Sequence, residues 1–282
     1  MKTGIPAASP DFGEKPEKEN RSSIPKSETE RKEAYGEVIF GKNRPAPLLS
    51  GNRRMLIKVC GLRETENIRL VSRLDIDWIG FIFYPRSPRY ILAPLLQDKQ
   101  VSEGSAKNPV PDFFISDART PHSPRRVGVF VNESAEYMAE IAETFGLDYL
   151  QLHGRETPDA CYALHKRGFA LIKAFSIASA DDLLQTRAYE GRVDYFLFDT
   201  HCAGYGGSGR CFDWRILAGY AGQTPFLLSG GIGPDQLEEL RAFRHPCLAG
   251  IDLNSAFETA PGRKDTEKLA DFIRSYRTIH PA

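Results

Sequence analysis

A cysteine at the end of a short apolar segment is the first residue of this sequence that could do chemistry. Leu-Ile-Lys-Val-Cys at 56–60 is followed by Gly61, a composition typical of a β-strand that enters a loop. Side chains alternate along a strand, so Lys58 and Cys60 share one face, roughly 7 Å apart. If that face lines a closed sheet, the ammonium lowers the thiol pKa and favours a thiolate that can act as a base. The alternative is a small buried residue with no chemical role.

A carboxyl group ends a second apolar segment, Tyr-Phe-Leu-Phe-Asp at 195–199. A period of two puts Asp199 on the same face as Tyr195 and Leu197. Desolvation between aromatic side chains raises the pKa of a carboxyl, so Asp199 could keep a proton and donate it. A cap on the following helix or loop is the alternative for Asp199.

Two further segments end in groups that suit an anion. Ser-Gly-Gly at 229–231 follows apolar residues, and its glycines allow backbone N–H groups to approach a phosphate at the positive end of the next helix. Asp252, Asn254 and Ser255 follow the last apolar segment and add polar groups. The pattern predicts a site for a phosphate monoester; a tight turn without a ligand is the alternative.

An arginine in a stiff loop is a candidate partner for a carboxylate. Arg89 lies in the segment 84–90, which Pro85 and Pro88 stiffen. A guanidinium pairs with a carboxylate through two hydrogen bonds and can stack on an aromatic ring. The sequence therefore favours a substrate with a phosphate at one end and an aromatic acid at the other, unless Arg89 is a solvated surface residue. Glycine-rich residues 204–209 could form a lid or a plain linker.

These residues fall at strand ends in a repeated pattern of a strand followed by a helix. The predicted strands are 56–60, 78–83, 127–131, 149–152, 170–174, 195–198, 226–228 and 248–251, and the main predicted helices are 64–72, 134–145, 157–167, 180–189, 235–243 and 265–276. Such alternation requires a parallel sheet, and eight units in about 230 residues predict a closed (β/α)8 TIM barrel. A doubly wound open sheet is the alternative.

In such a barrel the loops at the carboxyl ends of the strands carry the active site. The first and sixth strands lie nearly across the ring, so Cys60 and Asp199 would face one small molecule from opposite sides. A base that faces an acid moves a proton within a substrate, which predicts an isomerase that needs no redox cofactor. His153, at the end of the fourth strand, is either structural or supports the site.

Composition limits the partners. The 282 residues include 37 Lys plus Arg and 37 Asp plus Glu, so no net charge attracts nucleic acid or an anionic membrane. No apolar segment approaches the roughly 20 residues that span a bilayer, and no secretory signal is evident, so we expect a soluble cytoplasmic protein. The 5 cysteines lack CxxC spacing, which argues against a disulfide framework and a structural zinc. A metal cluster of His201, Cys202 and Cys211 is disfavoured by the loose glycine-rich loop between them.

The chain divides into an extension and one domain. Residues 1–53 are rich in Pro, Ser, Lys and Glu and predict a disordered N-terminal extension. The barrel domain is predicted over 54–282, with a polar surface insertion near 98–124. The sequence does not decide between a monomer and a homodimer.

Seven short motifs resemble those of the phosphoribosylanthranilate isomerase family, in the order of that family. They include Lys-Val-Cys-Gly at 58–61 and Gln-Leu-His-Gly at 151–154, and the others lie at 80–90, 127–132, 199–200 with 204–209, 212–214 and 228–231. The resemblance covers about 56–276. The turn after Asp252 departs from the Ser-Ser-Gly type that is frequent in the family.

The resemblance implies a (β/α)8 barrel that converts N-(5-phosphoribosyl)anthranilate to 1-(2-carboxyphenylamino)-1-deoxyribulose 5-phosphate in tryptophan biosynthesis, by an Amadori rearrangement without a metal or cofactor. By the same resemblance, Asp199 protonates the furanose ring oxygen and Cys60 takes the C2′ proton. Arg89 holds the anthranilate carboxylate, and Gly230 and Gly231 hold the phosphate.

Two other functions fit the residues. The barrel could bind a phosphorylated aromatic metabolite without catalysis. It could also be a phosphosugar epimerase or lyase, in which case Lys58 is the candidate for a Schiff base.

Overall fold

The computed structural model describes residues 54–92, 123–200 and 214–279. The predicted extension 1–53, the glycine-rich segment 204–209 and nearly all of the predicted insertion 98–124 lie outside these ranges. No helix in the described ranges is long and apolar enough to cross a membrane.

Eight parallel strands close into a barrel in sequence order, which confirms the predicted (β/α)8 fold and excludes the open sheet. The strands are β1 Leu56–Cys60, β2 Trp78–Ile82, β3 Arg125–Phe130, β4 Tyr149–Leu152, β5 Ala170–Ile177, β6 Tyr195–Thr200, β7 Phe226–Ser229 and β8 Leu248–Leu253. A hairpin of β9 Glu258–Ala260 and β10 Arg263–Lys264 follows β8 and lies outside the barrel.

The described α-helices are α1 Thr65–Ser72, α2 Ala135–Phe145, α3 Pro158–Lys166, α4 Leu237–Ala242 and α5 Thr266–Ile279. Local sequence sets the starts of two of them. Ser134 accepts a hydrogen bond from the Tyr137 N–H, and Thr157 accepts one from the Ala160 N–H. Such caps satisfy backbone donors that the first turn of a helix leaves unpaired.

The segment Ala180–Tyr189 is helical, as the sequence predicted, and it is a 3-10 helix. Leu183 and Thr186 are its buried residues, and Tyr189 is half-buried. A spacing of three residues matches the 3.0 residues per turn of a 3-10 helix. Short 3-10 turns also occupy Trp214–Gly219, Pro234–Gln236 and Ser255–Phe257.

The barrel interior divides into an apolar floor and a polar upper layer. Trp78 packs against Tyr149 and Tyr195, with ring centroids 4.5 and 5.0 Å apart. These rings, with Leu197 and other buried residues, fill the amino-terminal half of the interior. Outward-facing residues such as Val59 pack against the helices in a separate core. The polar side chains of the interior therefore lie above the rings, at the carboxyl ends of the strands.

An irregularity between β7 and β8 sets which residues of β8 face inward. The register shifts at Phe226 and Leu227, so that Leu227 pairs with Gly250 and Asp252 pairs with Lys58 across the β1–β8 seam. A Cβ at Gly250 would lie 2.1 Å from the Leu56 carbonyl oxygen. Because only glycine allows this approach, Gly250 lets the barrel close and places Asp252 beside Lys58.

Candidate active site

One cavity of about 580 Å³ opens at the carboxyl ends of the strands. Every residue predicted for the site lines it: Cys60, Arg89, Asp199, Gly230, Gly231, Asp252, Asn254 and Ser255. His153, Gln151 and Ser229 also line it. A volume of this size suits a small molecule.

Cys60 ends β1 on the interior face and is 4% exposed. Gly80 is its partner on β2, and a Cβ at Gly80 would lie 2.8 Å from the Cys60 sulfur. The thiol therefore occupies space that only a glycine on β2 leaves open.

Lys58 and Asp252 form a buried ion pair below the thiol. The Lys58 Nζ donates a hydrogen bond of 2.8 Å to Asp252 Oδ1, and the lysine side chain is fully buried. Ser229 Oγ donates to the other oxygen of Asp252 over 3.1 Å. Both oxygens of this carboxylate are therefore committed to protein groups.

The expectation that Lys58 lowers the thiol pKa is wrong for the net effect. Burial raises the pKa of Cys60, Lys58 opposes this, and Asp252 adds to the rise. Burial also acts to lower the pKa of Lys58, but Asp252 and Cys60 outweigh it and raise that pKa. The sequence reasoning had the sign of the Lys58 contribution right, but it missed the effect of burial and the pairing of Lys58 with Asp252, 194 residues away.

Asp199 lies at the end of β6 near the imidazole of His153. Asp199 Oδ2 is 3.8 Å from His153 Nε2, and Gln151 Nε2 is 2.8 Å from His153 Nδ1. With the Gln151 amide as donor, Nδ1 is the acceptor and the ring proton lies on Nε2, facing Asp199. This tautomer is assigned from the hydrogen bonds around the imidazole. Sequence reasoning missed Gln151, although a period of two from Tyr149 places it in the interior.

The glycines after β7 have backbone conformations that favour glycine. Gly230 and Gly231 have φ of 92° and 67°. A side chain at either position would be strained and would reduce the access of a ligand to the backbone. The helix predicted to follow is short, a 3-10 turn at Pro234–Gln236 leading into α4, so its dipole adds less than expected.

Three loops meet at Gly61. Its φ is 79°, and a Cβ there would lie 2.7 Å from Arg89 Cδ and 2.8 Å from Asn254 Oδ1. The Asn254 side chain accepts a hydrogen bond of 2.7 Å from Lys264 Nζ. The loops after β1, β2 and β8 are thereby packed into one wall of the cavity.

Arg89 is not a solvated surface residue. Its side chain is 21% exposed and forms a two-point ion pair with Glu258. The hydrogen bond to Glu258 raises the pKa of Arg89, so the guanidinium stays charged. Glu258 gave no sequence signal, because it lies in a polar hairpin 169 residues from Arg89.

Within the described part of the chain, no group of three or more His, Cys, Asp or Glu residues could hold a metal ion. The candidate set of His201, Cys202 and Cys211 lies outside that part.

Comparisons with known proteins agree with one another. A family model described as N-(5′-phosphoribosyl)anthranilate isomerase matches residues 57–275. Proteins named N-(5′-phosphoribosyl)anthranilate isomerase from Parabacteroides distasonis and Phocaeicola vulgatus are 56% and 48% identical over 229 and 223 residues. These matches cover 81% and 79% of this chain and 95% and 98% of the relatives.

Solved structures of such isomerases share the fold. A crystal structure of phosphoribosyl anthranilate isomerase in complex with reduced 1-(o-carboxyphenylamino)-1-deoxyribulose 5-phosphate has a TM-score of 0.63 at 27% identity. It covers 80% of this chain and 100% of its own. A structure from Thermotoga maritima has a TM-score of 0.63 at 28% identity, with the same coverage. Another from that organism, at 26% identity and a TM-score of 0.62, is described as monomers generated from a dimeric enzyme, and it too covers 80% of this chain and 100% of its own.

Proposed function

The chain belongs to the N-(5′-phosphoribosyl)anthranilate isomerase family, and from that premise we propose how its own residues carry out the reaction. The enzyme converts N-(5-phosphoribosyl)anthranilate to 1-(2-carboxyphenylamino)-1-deoxyribulose 5-phosphate in tryptophan biosynthesis. The observation that carries the proposal is one cavity that Cys60 and Asp199 both line, with Arg89 and the glycines after β7 also in its wall.

Asp199 is the general acid. It donates a proton to the furanose ring oxygen while the C1′–O bond breaks, and the anilino nitrogen lone pair forms the C1′=N bond of a Schiff base. The His153 Nε2–H, on the same side of the cavity, favours the carboxylate that remains. Acid catalysis by a positioned side chain contributes typically 10²–10⁴-fold in rate.

Cys60 is the general base. Its thiolate removes the C2′ proton, the electrons of that C–H bond form C1′=C2′, and the Schiff-base nitrogen takes up the displaced pair. The resulting enolamine gains a proton at C1′ and loses one from O2′ to give the ketone. Lys58 and Lys264 both favour the thiolate against the effect of burial.

The two ends of the substrate bind to different parts of the wall. The phosphate lies against the Gly230 and Gly231 backbone, with Asn254 and Ser255 at the edge of the same wall. If the phosphate binds here, a Gly231→Asp variant should bind the substrate more weakly. The substitution adds a negative charge and places a side chain at a residue with positive φ. The anthranilate carboxylate pairs with the Arg89 guanidinium.

Asp252 has a supporting role in this proposal. It lines the cavity, but Lys58 and Ser229 already occupy its two oxygens. It therefore orients Ser229, which lines the cavity, and the fully buried Lys58. Contact between Asp252 and the substrate is secondary to this role.

A Schiff-base mechanism on Lys58 fits the geometry poorly. The lysine side chain is fully buried, its Nζ is paired with Asp252, and its pKa is raised, so the ammonium lacks the lone pair that attacks a carbonyl. Borohydride in the presence of substrate is therefore expected to leave Lys58 unmodified. A binder without catalysis is disfavoured by membership of an enzyme family.

The test follows the loss of anthranilate fluorescence with purified protein and freshly made substrate. Cys60→Ala and Asp199→Ala are each expected to lower kcat by 10²–10⁴-fold. Cys247→Ala is the matched control, because Cys247 does not line the cavity and its loss should leave kcat unchanged. Full turnover in both site variants would refute the acid and base roles.

We propose that the enzyme acts in the cytoplasm, without nucleic acid or membrane as a partner, and that it is a monomer or a homodimer. Light scattering on purified protein distinguishes the two assemblies.

A further inference from the structure

The β9–β10 hairpin brings a buried carboxylate against Arg89. Arg89 Nε donates to Glu258 Oε1 over 2.8 Å, and Nη2 donates to Oε2 over 2.6 Å. The Glu258 side chain is 6% exposed. The guanidinium is therefore held along its Nε–Nη2 edge by a group that solvent barely reaches.

Glu258 is itself held by two other residues of the hairpin region. Lys264 Nζ donates to its Oε1 over 2.7 Å, and the Gly262 N–H donates to the same oxygen over 3.1 Å. The Lys264 backbone exchanges hydrogen bonds of 2.7 and 2.9 Å with the Asn67 side chain on α1. The hairpin is thus anchored to the barrel, and the carboxylate has little freedom to move.

The cluster carries one net positive charge. Burial acts to raise the pKa of Glu258, but the hydrogen bonds from Arg89 and Lys264 outweigh it and lower that pKa, so the carboxylate is ionised. Burial lowers the pKa of Lys264 and the bond to Glu258 opposes this, with Nζ paired to Glu258 Oε1 at 2.7 Å. Two cations and one anion leave a charge that a single carboxylate complements.

These contacts also determine which edge of the Arg89 guanidinium is available to a ligand. Across the described ranges, its side-chain hydrogen bonds use Nε and Nη2 and leave Nη1 uncommitted. Arg89 lines the cavity, whereas Glu258 and Lys264 do not. A carboxylate that enters the cavity can therefore form a two-point ion pair with Arg89 only at the Nη1–Nη2 edge.

We propose that Glu258 is a positioning residue that selects substrates with a ring carboxylate, by holding the Nη1–Nη2 edge of Arg89 in one orientation at the cavity wall. The inference rests on the proposed function, since it takes Arg89 as the carboxylate partner. In this arrangement Glu258 and the β9–β10 hairpin act through Arg89 and do not touch the substrate. Loss of orientation at a binding group can cost up to about 10²-fold in rate without any loss of fold.

The experiment compares two substrates: N-(5-phosphoribosyl)anthranilate and the aniline analogue that lacks the carboxylate. Glu258→Gln keeps the shape but leaves one acceptor oxygen for the N–H groups of both Arg89 and Lys264. The ratio of kcat/KM for the two substrates is expected to fall roughly tenfold or more in this variant. Glu64→Gln is the control, because Glu64 meets Arg263 on the exposed side of the same hairpin, at 3.8 Å; its ratio should equal that of the wild type.

A double variant shows whether Glu258 acts through Arg89. In an Arg89→Ala background, Glu258→Gln is expected to change the ratio no further. An equal loss for both substrates in Glu258→Gln, or an additive loss in the double variant, would overturn the inference and leave the role of Arg89 intact. A wild type that does not prefer the carboxylate would overturn the Arg89 assignment, and the inference with it.

Discussion

The Lys58 ammonium lies 2.8 Å from the Asp252 carboxylate inside the barrel, and both side chains are buried beneath Cys60. The pair brings opposite charges to bear on one thiol. Lys58 lowers the pKa of Cys60, and Asp252 raises it. The two members of this ion pair should therefore shift the pKa of Cys60 in opposite directions.

Lys58→Met is expected to raise the pKa of Cys60, and Asp252→Asn to lower it. The measurement is the pH dependence of iodoacetamide labelling of the Cys60 peptide, read by mass spectrometry so that other cysteines do not interfere. Because only the thiolate acts as a base, the limb of kcat/KM that rises with pH should move to higher pH in Lys58→Met and to lower pH in Asp252→Asn.

Either substitution breaks the same ion pair, so a purely structural role would shift both profiles in the same direction. Shifts of the same sign would therefore contradict the tuning of Cys60 by this pair. Thermal unfolding of both variants shows how much stability the broken pair costs.

The Cys60 thiol occupies space that is open because Gly80 has no side chain. Addition of one methyl group at Gly80 is therefore expected to lower activity strongly. In Gly80→Ala the new Cβ would lie 2.8 Å from the Cys60 sulfur, and either the side chain or β2 must shift. Overpacking of this kind costs about 1–3 kcal/mol, and we expect kcat to fall at least tenfold because the thiol leaves its position.

Gly219→Ala is the matched control for that variant. The nearest atom to its new Cβ is Leu183 Cδ1 at 3.7 Å, an ordinary contact. Activity in Gly80→Ala that equals activity in Gly219→Ala would show that the thiol position is unimportant.

The barrel fold and the residues that line its cavity could be predicted from sequence, because both follow from local periodicity. Cys60 and Asp199 were found as polar ends of apolar strands, and closure of the sheet brings such ends together. The polar partners of these groups could not be found in this way. Glu258 and Asp252 meet Arg89 and Lys58 across 169 and 194 residues, and no local pattern encodes that pairing.

The pKa of Cys60 shows the same limit in energetic terms. The direction in which this pKa shifts depends on burial and on the Asp252 carboxylate, which opposes Lys58, and both are properties of the folded chain. The choice of a 3-10 helix at Ala180–Tyr189 also depends on which residues the barrel buries. Sequence patterns therefore predict the fold better than the electrostatics inside it.

His153 is expected to assist the acid step without being essential for folding. In His153→Ala the Asp199 carboxyl loses the imidazole at 3.8 Å, and kcat should fall roughly tenfold with a smaller change in KM. His165→Ala removes the same kind of pair, His165 with Asp194 at 3.7 Å, away from the cavity and should leave kcat unchanged. Equal kcat in the two variants would exclude a role of His153 in the acid step.

Another buried ion pair, Lys173 with Glu156, is expected to contribute strongly to stability. Its Nζ–Oε2 distance is 3.1 Å, and the side chains are 3% and 4% exposed. Glu156 also accepts hydrogen bonds from the Asn132 and Gly154 N–H groups, so it joins the loops after β3 and β4 to β5. Lys173→Met would leave this carboxylate buried without its cation.

Removal of one partner from a buried pair costs about 3–5 kcal/mol, so Lys173→Met should lower the free energy of unfolding by that amount in urea titrations. Asp159→Asn provides the comparison, because it breaks the exposed pair with Arg192 and should change stability by less than about 0.5 kcal/mol. If the two variants unfold at the same urea concentration, the loops at the carboxyl ends of β3 and β4 are held by packing and backbone hydrogen bonds, and the buried charges contribute little.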